Sequence, residues 1–276
     1  MAALEGKVAV VAGASRGIGK GIALELGAAG ATVYLTGRTV EPSKGSPGSL
    51  AETAAAIDAS GGLSVPVRCD HSDDADVAAL FAQISSEQGH LDVAVNCVFN
   101  SSAFRSTLGR SFWELPISVW HDVVDLGTRS AYVASAHAVP LMLGRGDGLI
   151  VNISARGAER YRYNVVYGVG KAALDRMTRD MADELRDRGV AVISLWPGTI
   201  RTEHMDAMFE AGDSWALENF PEPDQLETPR FVGRAVAALA GDPNVMARSG
   251  GRFWAAEIAA DYGLADEYGR THAVPE

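Results

Sequence analysis

The sequence predicts an α/β fold, a doubly wound and mostly parallel sheet of seven strands with helices on both faces. Three observations carry that prediction. Short apolar runs recur along the chain at intervals that leave room for a helix between them. Several intervening segments step their apolar residues by three and four, the period of a helix with one buried face. The runs themselves are almost continuously apolar, as strands covered on both faces by crossover helices must be.

Taken in order, the first run is "KVAVVAG" (7–13), followed by Ile18, Ile22, Leu26 and Ala29 at helical spacing. The second is "ATVYLTG" (31–37), and "GRTVEPSKGSPGS" (37–49) after it reads as a surface loop rich in Gly, Pro and Ser. The third, "LSVPVRC" (63–69), contains Pro66. Proline has no N–H to give to a ladder, so it is confined to an edge strand or a bulge. In the strand order 3-2-1-4-5-6 the third strand is an edge, and the two readings agree. Val77, Leu80, Phe81 and Ile84 then form a helical stripe before "LDVAVN" (91–96). "GLIVNIS" (148–154) and "VAVISLW" (190–196) follow, with Leu174, Met177, Met181 and Leu185 on the helix between them. There is no internal repeat, and a single Rossmann-type domain over 1–276 is expected. Residues 199–230 mix acids with Met205, Met208, Phe209, Trp215 and Phe220. This insertion reads as a substrate lid at the carboxyl edge of the sheet, with an ordinary surface helix pair as the plainer alternative.

Composition narrows the function. A hydrophobic share of 47% and a charged share of 21% fit a soluble globular chain with a sizeable core. A net charge of −11 argues against a nucleic-acid surface and offers no polybasic hook for an anionic membrane. No apolar run approaches the roughly 18 to 20 residues of a membrane span. The opening "MAALEGKVAVVAGAS" lacks the basic region and cleavage site of a signal peptide. Cys69 and Cys97 stand far apart, and the six histidines do not cluster. A cytoplasmic, reduced and metal-free protein is expected.

"AGASRGIGKGIA" joins the first strand to the first helix. The general G-x-G-x-x-G fingerprint fails at Ile22, and a phosphate loop fails because Gly21 follows Lys20 where Ser or Thr is required. What remains is Gly13-x-x-x-Gly17-x-Gly19. Glycines there let the backbone turn tightly and approach a pyrophosphate at the helix N-terminus. Gly13, Ser15, Arg16, Gly17, Ile18 and Gly19 are therefore candidate cofactor contacts. The second strand ends "LTGR", with Gly37 where an NAD-binding acid would stand and Arg38 next. Arg16 and Arg38 converging without a carboxylate favour the 2′-phosphate of NADP(H) over NAD(H). The plainer alternative is a pair of solvated surface arginines in a chain that holds 20 Arg and 4 Lys.

In "YGVGKAAL" (167–174), Tyr167 and Lys171 lie four apart at the start of a helix, so both side chains share a face. A phenol is a poor acid–base group at neutral pH, and a neighbouring ammonium favours its ionised form. Together with the glycine turn, this pair resembles the short-chain dehydrogenase/reductase family over residues 5–202, with Ala12 replacing the threonine that usually opens the turn. The resemblance implies a catalytic set of Ser154, Tyr167 and Lys171, with Ser154 at the usual thirteen residues before the tyrosine. Ser154 would polarise a carbonyl, Tyr167 move the proton, and Lys171 tune Tyr167 and hold the nicotinamide ribose. It further implies Asp70 at the adenine, Asn96 at the head of an altered "NCVF" element, and Pro197, Gly198 and Thr202 at the carboxamide.

The implied activity is NADP(H)-dependent interconversion of a carbonyl compound and an alcohol, by a homo-oligomer (dimer or tetramer). Phe99, Phe104 and Trp113, with the lid residues, suggest a small hydrophobic substrate. One departure concerns the asparagine that many members carry on the helix after strand four, because its register lands on Gly127. That substitution and "NCVF" motivate the first alternative, an inactive or weak NADP-binding regulatory protein. A cofactor-free lyase or dehalogenase is the second, and it would be expected to lack both the glycine turn and Lys171.

Overall fold

The computed structural model describes residues 3–43, 47–220 and 222–275. The seven strands form one sheet in the order β3-β2-β1-β4-β5-β6-β7. They are β1 (Val8–Ala12), β2 (Thr32–Gly37), β3 (Leu63–Arg68), β4 (Val93–Asn96), β5 (Gly148–Ile153), β6 (Val190–Trp196) and β7 (Arg252–Trp254). Every strand pair is parallel, so the mostly parallel sheet of the sequence reading is parallel throughout. The seventh strand has only three residues, too few to show as an apolar run. Pro66 sits on edge strand β3, none of whose residues is fully buried.

The helices are α1 (Gly17–Ala28), α2 (Leu50–Ala59), α3 (Asp74–Gln88), α4 (Ser101–Arg105), α5 (Ser118–Trp120), α6 (Ser130–Met142), α7 (Val165–Leu185), α8 (Glu203–Glu210), α9 (Ser214–Asn219), α10 (Pro229–Gly241) and α11 (Ala255–Asp261). They divide between the two faces because successive strand side chains point in opposite directions. Val11, Leu35, Val151 and Ile193 meet Ile22, Leu26, Phe231 and Val236 on one side. Val10, Tyr34, Ile150 and Val192 meet Leu80, Phe81, Met142 and Leu185 on the other.

Sheet growth reverses direction between β1 and β4, which opens a crevice beyond their carboxyl ends where ligands bind in such folds. Local chemistry fixes the elements around it. Ser49 caps α2 by accepting from the Glu52 amide, Asn164 caps α7, and Thr228 caps α10 with Pro229 in the first turn. Between α5 and α6 the chain runs as a π-helix over His121–Arg129, a widened form that recurs at functional sites. Gly127 lies within it, and a Cβ there would meet nothing within 4 Å. Close packing therefore does not explain that glycine. Among the described residues no helix is long and apolar enough to cross a membrane, and no group of three or more His, Cys, Asp or Glu could hold a metal ion.

Candidate active site

The glycine turn lies at the mouth of the crevice. Its backbone runs so close to neighbouring chain that side chains are excluded. A Cβ on Gly13 would come within 2.8 Å of the Cys97 carbonyl, and one on Gly19 would collide with the carbonyl of Gly13. Gly13 and Gly17 also have φ of 82° and 56°, which favour glycine. Gly13, Ser15, Arg16, Gly17, Ile18 and Gly19 all border a cavity of about 380 Å³, together with Gly37, Arg38, Asp70 and Thr202. Apart from Gly37, these are cofactor candidates named from the sequence, gathered in one place.

Arg16 is held in the cavity wall by donating to Thr39 Oγ1 at 3.0 Å and to the Gly48 carbonyl at 3.3 Å. Arg38 stands 4.0 Å from Asp70 Oδ2. The Asp70 carboxyl is held below its ordinary range, mainly by hydrogen bonds from Ser72 against the opposing effect of burial. The loop over 37–49 thus folds back on the glycine turn, although its residues 44–46 lie outside the described residues.

Asn96 is placed differently. It does not border this cavity, and its side-chain amide donates to Ser135 Oγ at 3.0 Å and to Asn152 Oδ1 at 2.8 Å within the core. Cys97, Val98 and Phe99 line the crevice in its place. Burial pushes the Cys97 thiol up to about 12, so it stays protonated.

The N-terminus of α1 already holds an anion, supplied by the chain. Glu203, the first residue of α8, accepts from the Gly17 amide at 2.8 Å through Oε2 and lies 3.6 Å from Lys20 Nζ through Oε1. The carboxylate at this amide shows that the turn presents an N–H group to negative charge.

Tyr167 and Lys171 begin α7, as the spacing predicts, and Ser154 lies just beyond β5. The Lys171 ammonium donates to the Ile153 carbonyl at 2.9 Å and lies 5.3 Å over the Phe99 ring. Ser154 Oγ donates to the Lys171 carbonyl at 3.1 Å. Strand end and helix are thereby stitched together in both directions. Burial drives the lysine down to about 8, opposed by the charge of Asp175.

The expectation that Lys171 lowers the Tyr167 phenol is not met in this geometry. Burial raises Tyr167, Tyr163 adds to the rise, and Arg162 is the group that opposes it. The physical reason is placement, because the ammonium is turned to the β5 carbonyl and the phenol sits among aromatic rings.

That aromatic setting contains residues the sequence reading missed. Tyr167 packs on Phe104 at 5.0 Å, on Tyr163 at 5.3 Å and on Phe99 at 6.3 Å between ring centres. Tyr163, with φ of 65°, is the only non-glycine residue among those described with positive φ, a strained state of the kind found at functional sites. Asn164 Oδ1 accepts from the Tyr167 amide at 2.9 Å, and its Nδ2 donates to Thr107 Oγ1 at 2.6 Å, which fixes where the catalytic helix starts. The signal was legible, since an asparagine three residues before a helical amide is a cap.

Gly157 carried no such signal. A Cβ there would lie 2.5 Å from Tyr167 Cε1. The Tyr167 ring is boxed in by three others and cannot step aside. Gly157→Ala is therefore expected to lower kcat/KM by about 10²-fold, as misplacement of a reacting group does, with dinucleotide affinity retained. A variant turning over at the wild-type rate would refute the role.

A second cavity, of about 320 Å³, lies beside the first. Tyr167, Phe99 and Phe104 line it from one side, and Met205, Met208, Trp215 and Phe220 from the other. The segment over 199–230 borders the cavity through α8 and α9, with residue 221 outside the described residues. Pro197, Gly198 and Thr202 also border it, and Thr202 Oγ1 caps α8 by accepting from the Met205 amide at 3.4 Å. Trp113 does not take part. It is 73% exposed in a short 3₁₀ turn where it packs on Phe112, so it is corrected from the pocket to the surface.

A glycine crevice at the switch point, next to a tyrosine-lined cavity, defines a nucleotide-dependent oxidoreductase of the short-chain type. The family model for short-chain dehydrogenases matches residues 7–212, and the chain belongs to that family. It is 43% identical to the mouse (Mus musculus) protein dehydrogenase/reductase SDR family member 1 over 276 residues, 98% of this chain and 86% of that one. The human (Homo sapiens) protein of the same name is 44% identical over the same shares. A 3-oxoacyl-[acyl-carrier-protein] reductase of Pseudomonas aeruginosa is 34% identical over 87% of this chain and 92% of its own. Among solved structures, a short-chain dehydrogenase from Mycobacterium thermoresistibile superposes with a TM-score of 0.79 at 26% identity, covering 99% and 95% of the two chains. A metagenomic short-chain oxidoreductase solved in complex with NADP gives 0.70 at 28% identity, covering 88% and 94%.

Proposed function

We propose that the protein is a cytoplasmic, NADP(H)-dependent oxidoreductase that interconverts a carbonyl compound and an alcohol. The observation that carries this reading is the shared wall of the two cavities. Ile18, Phe99, Ser101, Thr202 and His204 border both, so a dinucleotide in the glycine crevice and a substrate against Tyr167 would meet there. When bound, the dinucleotide supplies or accepts the hydride.

The chain's own groups handle the proton. Burial keeps the Tyr167 phenol protonated at neutral pH, which suits proton donation to a developing alkoxide and hence reduction. Lys171, down to about 8, can exchange a proton near neutrality and would restore the phenol, with the Ile153 carbonyl holding its ammonium in place. That backbone carbonyl is the candidate partner for the lysine where Gly127 replaces the usual asparagine. Ser154 must swing its hydroxyl from the Lys171 carbonyl to reach a substrate oxygen. The residues of the crevice fit NADP(H), with Arg16 and Arg38 beside Gly37 and Thr39 and no acid ending β2. The test is a cofactor-oxidation screen over ketones, aldehydes, quinones and steroids with NADPH and NADH side by side. Absence of turnover across the panel, with NADPH still bound, would favour the inactive regulatory reading instead.

Glu203 gives the binding step a signature. Its carboxylate must leave the Gly17 amide before a pyrophosphate can take that place. Glu203→Gln is expected to tighten NADPH binding about three- to tenfold, the range of an anion at a helix N-terminus, as read by titration calorimetry. Weaker binding would show instead that Glu203 supports the site.

We also propose a homo-oligomer. Ile117, Trp120, Tyr132 and Val169 are large apolar residues left exposed along α5, α6 and α7, surface that a partner copy could cover. Sedimentation at the mass of one chain would overturn it.

A further inference from the structure

The charge inside the substrate cavity is not what an apolar ketone needs. Arg105 at the end of α4, Arg156 in the turn after β5, and Arg162 in the loop before α7 all line it, and all are half-buried. No Asp or Glu lines it among the described residues. None of the three guanidinium groups has an ion-pair or hydrogen-bonding partner among those residues, and Arg105 Nε is buried without one. Arg162 only stacks on the Tyr163 ring, at 4.9 Å.

Elsewhere in this chain of net charge −11, arginines commonly face carboxylates. Arg129 meets Asp74, Arg176 meets Asp180, and Arg230 meets Glu25. Arg160, Arg179 and Arg188 also lack an ion pair but are exposed, whereas these three are half-buried in one cavity with no partner among the described residues. They do not serve the dinucleotide phosphates, since none borders the glycine crevice, where Arg16 and Arg38 stand. His204 shares the cavity and adds no charge. Its Nε2 is buried without a partner, and burial, then Arg105 and Arg16, keep the ring neutral.

Partly desolvated guanidinium is best satisfied by a carboxylate, which it can grip through two parallel N–H···O bonds. The rest of the cavity, from Phe104 to Met208 and Trp215, is apolar or aromatic. We propose that the substrate is a keto acid, or its hydroxy acid, with an aromatic or aliphatic body in the apolar part and its carboxylate on Arg105 or Arg162. This rests on the reductase reading above. The carboxylate takes no part in the chemistry. The carbonyl carbon receives the hydride of a reduced nicotinamide dinucleotide, its oxygen receives the Tyr167 proton, and the product is the hydroxy acid with the carboxylate still paired.

The experiment uses phenylglyoxylate, benzoylacetate and benzoylpropionate, each beside its methyl ester, on the whole protein. NADPH oxidation and, separately, thermal stabilisation without cofactor are measured. At least one acid is expected to exceed its ester about tenfold or more in kcat/KM, the scale of one hydrogen bond to a charged group. Arg105→Met or Arg162→Met should shrink that excess by raising the KM of the acid more than that of its ester. Arg105→Lys and Arg162→Lys keep the charge and serve where a methionine variant does not fold.

Acids should also raise the melting temperature where esters do not, and the arginine variants should lose that rise. Esters reduced as fast as acids would sink the keto-acid proposal and leave the reductase reading standing. Arginine-dependent stabilisation by acids with no NADPH oxidised by any probe would sink the reductase reading and leave only a carboxylate-binding cavity. Neither stabilisation nor selective reduction by the acids would overturn the proposal outright.

Discussion

Tyr167→Phe is expected to lower NADPH-dependent carbonyl reduction by about 10³-fold or more while changing NADPH affinity by no more than a few-fold. The substitution deletes one oxygen and keeps the ring. Tyr167 owes its position to Phe104, Tyr163 and Phe99, to the space above Gly157 and to the Asn164 cap, and none of these contacts uses the hydroxyl. The variant should therefore fold and retain its cavity. What it loses is the proton donor, and general acid catalysis is worth about 10²- to 10⁴-fold. The upper part of that range applies because no second acid stands ready. Ser154 gives its hydrogen to the Lys171 carbonyl, and Lys171 gives one to the Ile153 carbonyl. In the wild-type protein the rate of reduction should fall as pH rises through about 8, where Lys171 loses its charge and can no longer resupply the phenol. Turnover unchanged in Tyr167→Phe would sink the catalytic assignment.

The parts of this site that sequence could reveal are those set by local rules. A glycine turn after a buried strand, a tyrosine and lysine one helical turn apart, and Pro66 on an edge each express a constraint that acts over a few residues. Apolar runs named six strands because both faces of the sheet are covered. Strand β7 escaped because three residues carry no pattern.

What remained hidden depends on chain brought together from afar. Gly157 matters only because α7 returns the Tyr167 ring onto it, and Glu203 only because α8 meets α1 across 186 residues of sequence. Trp113 misled for the opposite reason. An aromatic residue after a strand suggests a pocket, but a 3₁₀ turn aims this one outward. Lys171 lies on α7 as its spacing predicts, but its ammonium is turned to the Ile153 carbonyl rather than to the phenol, and that contact spans 18 residues of sequence.

Replacing both Arg16 and Arg38 by alanine is expected to weaken NADPH binding by about 10²-fold or more and NADH binding by only a few-fold. A hydrogen bond to a charged group contributes about 1.5–3 kcal/mol, and two such groups acting on one phosphate reach this range even after discounting for exposure. The two arginines are not equivalent. Arg16 is already fixed by Thr39 and Gly48, so little freedom is lost when it meets a phosphate. Arg38 is 60% exposed and only loosely paired with Asp70 at 4.0 Å, so its single replacement should cost less than that of Arg16. Asp70 makes the comparison sharper. Ser72 keeps its carboxyl ionised, and a 2′-phosphate placed nearby without Arg38 between them would be repelled. NADH carries no such phosphate and serves as the internal control for the glycine turn and the adenosine pocket. Equal losses for the two dinucleotides would mean that the arginines only brace the loop over 37–49, and the preference for NADP(H) would then have to be sought elsewhere in the crevice.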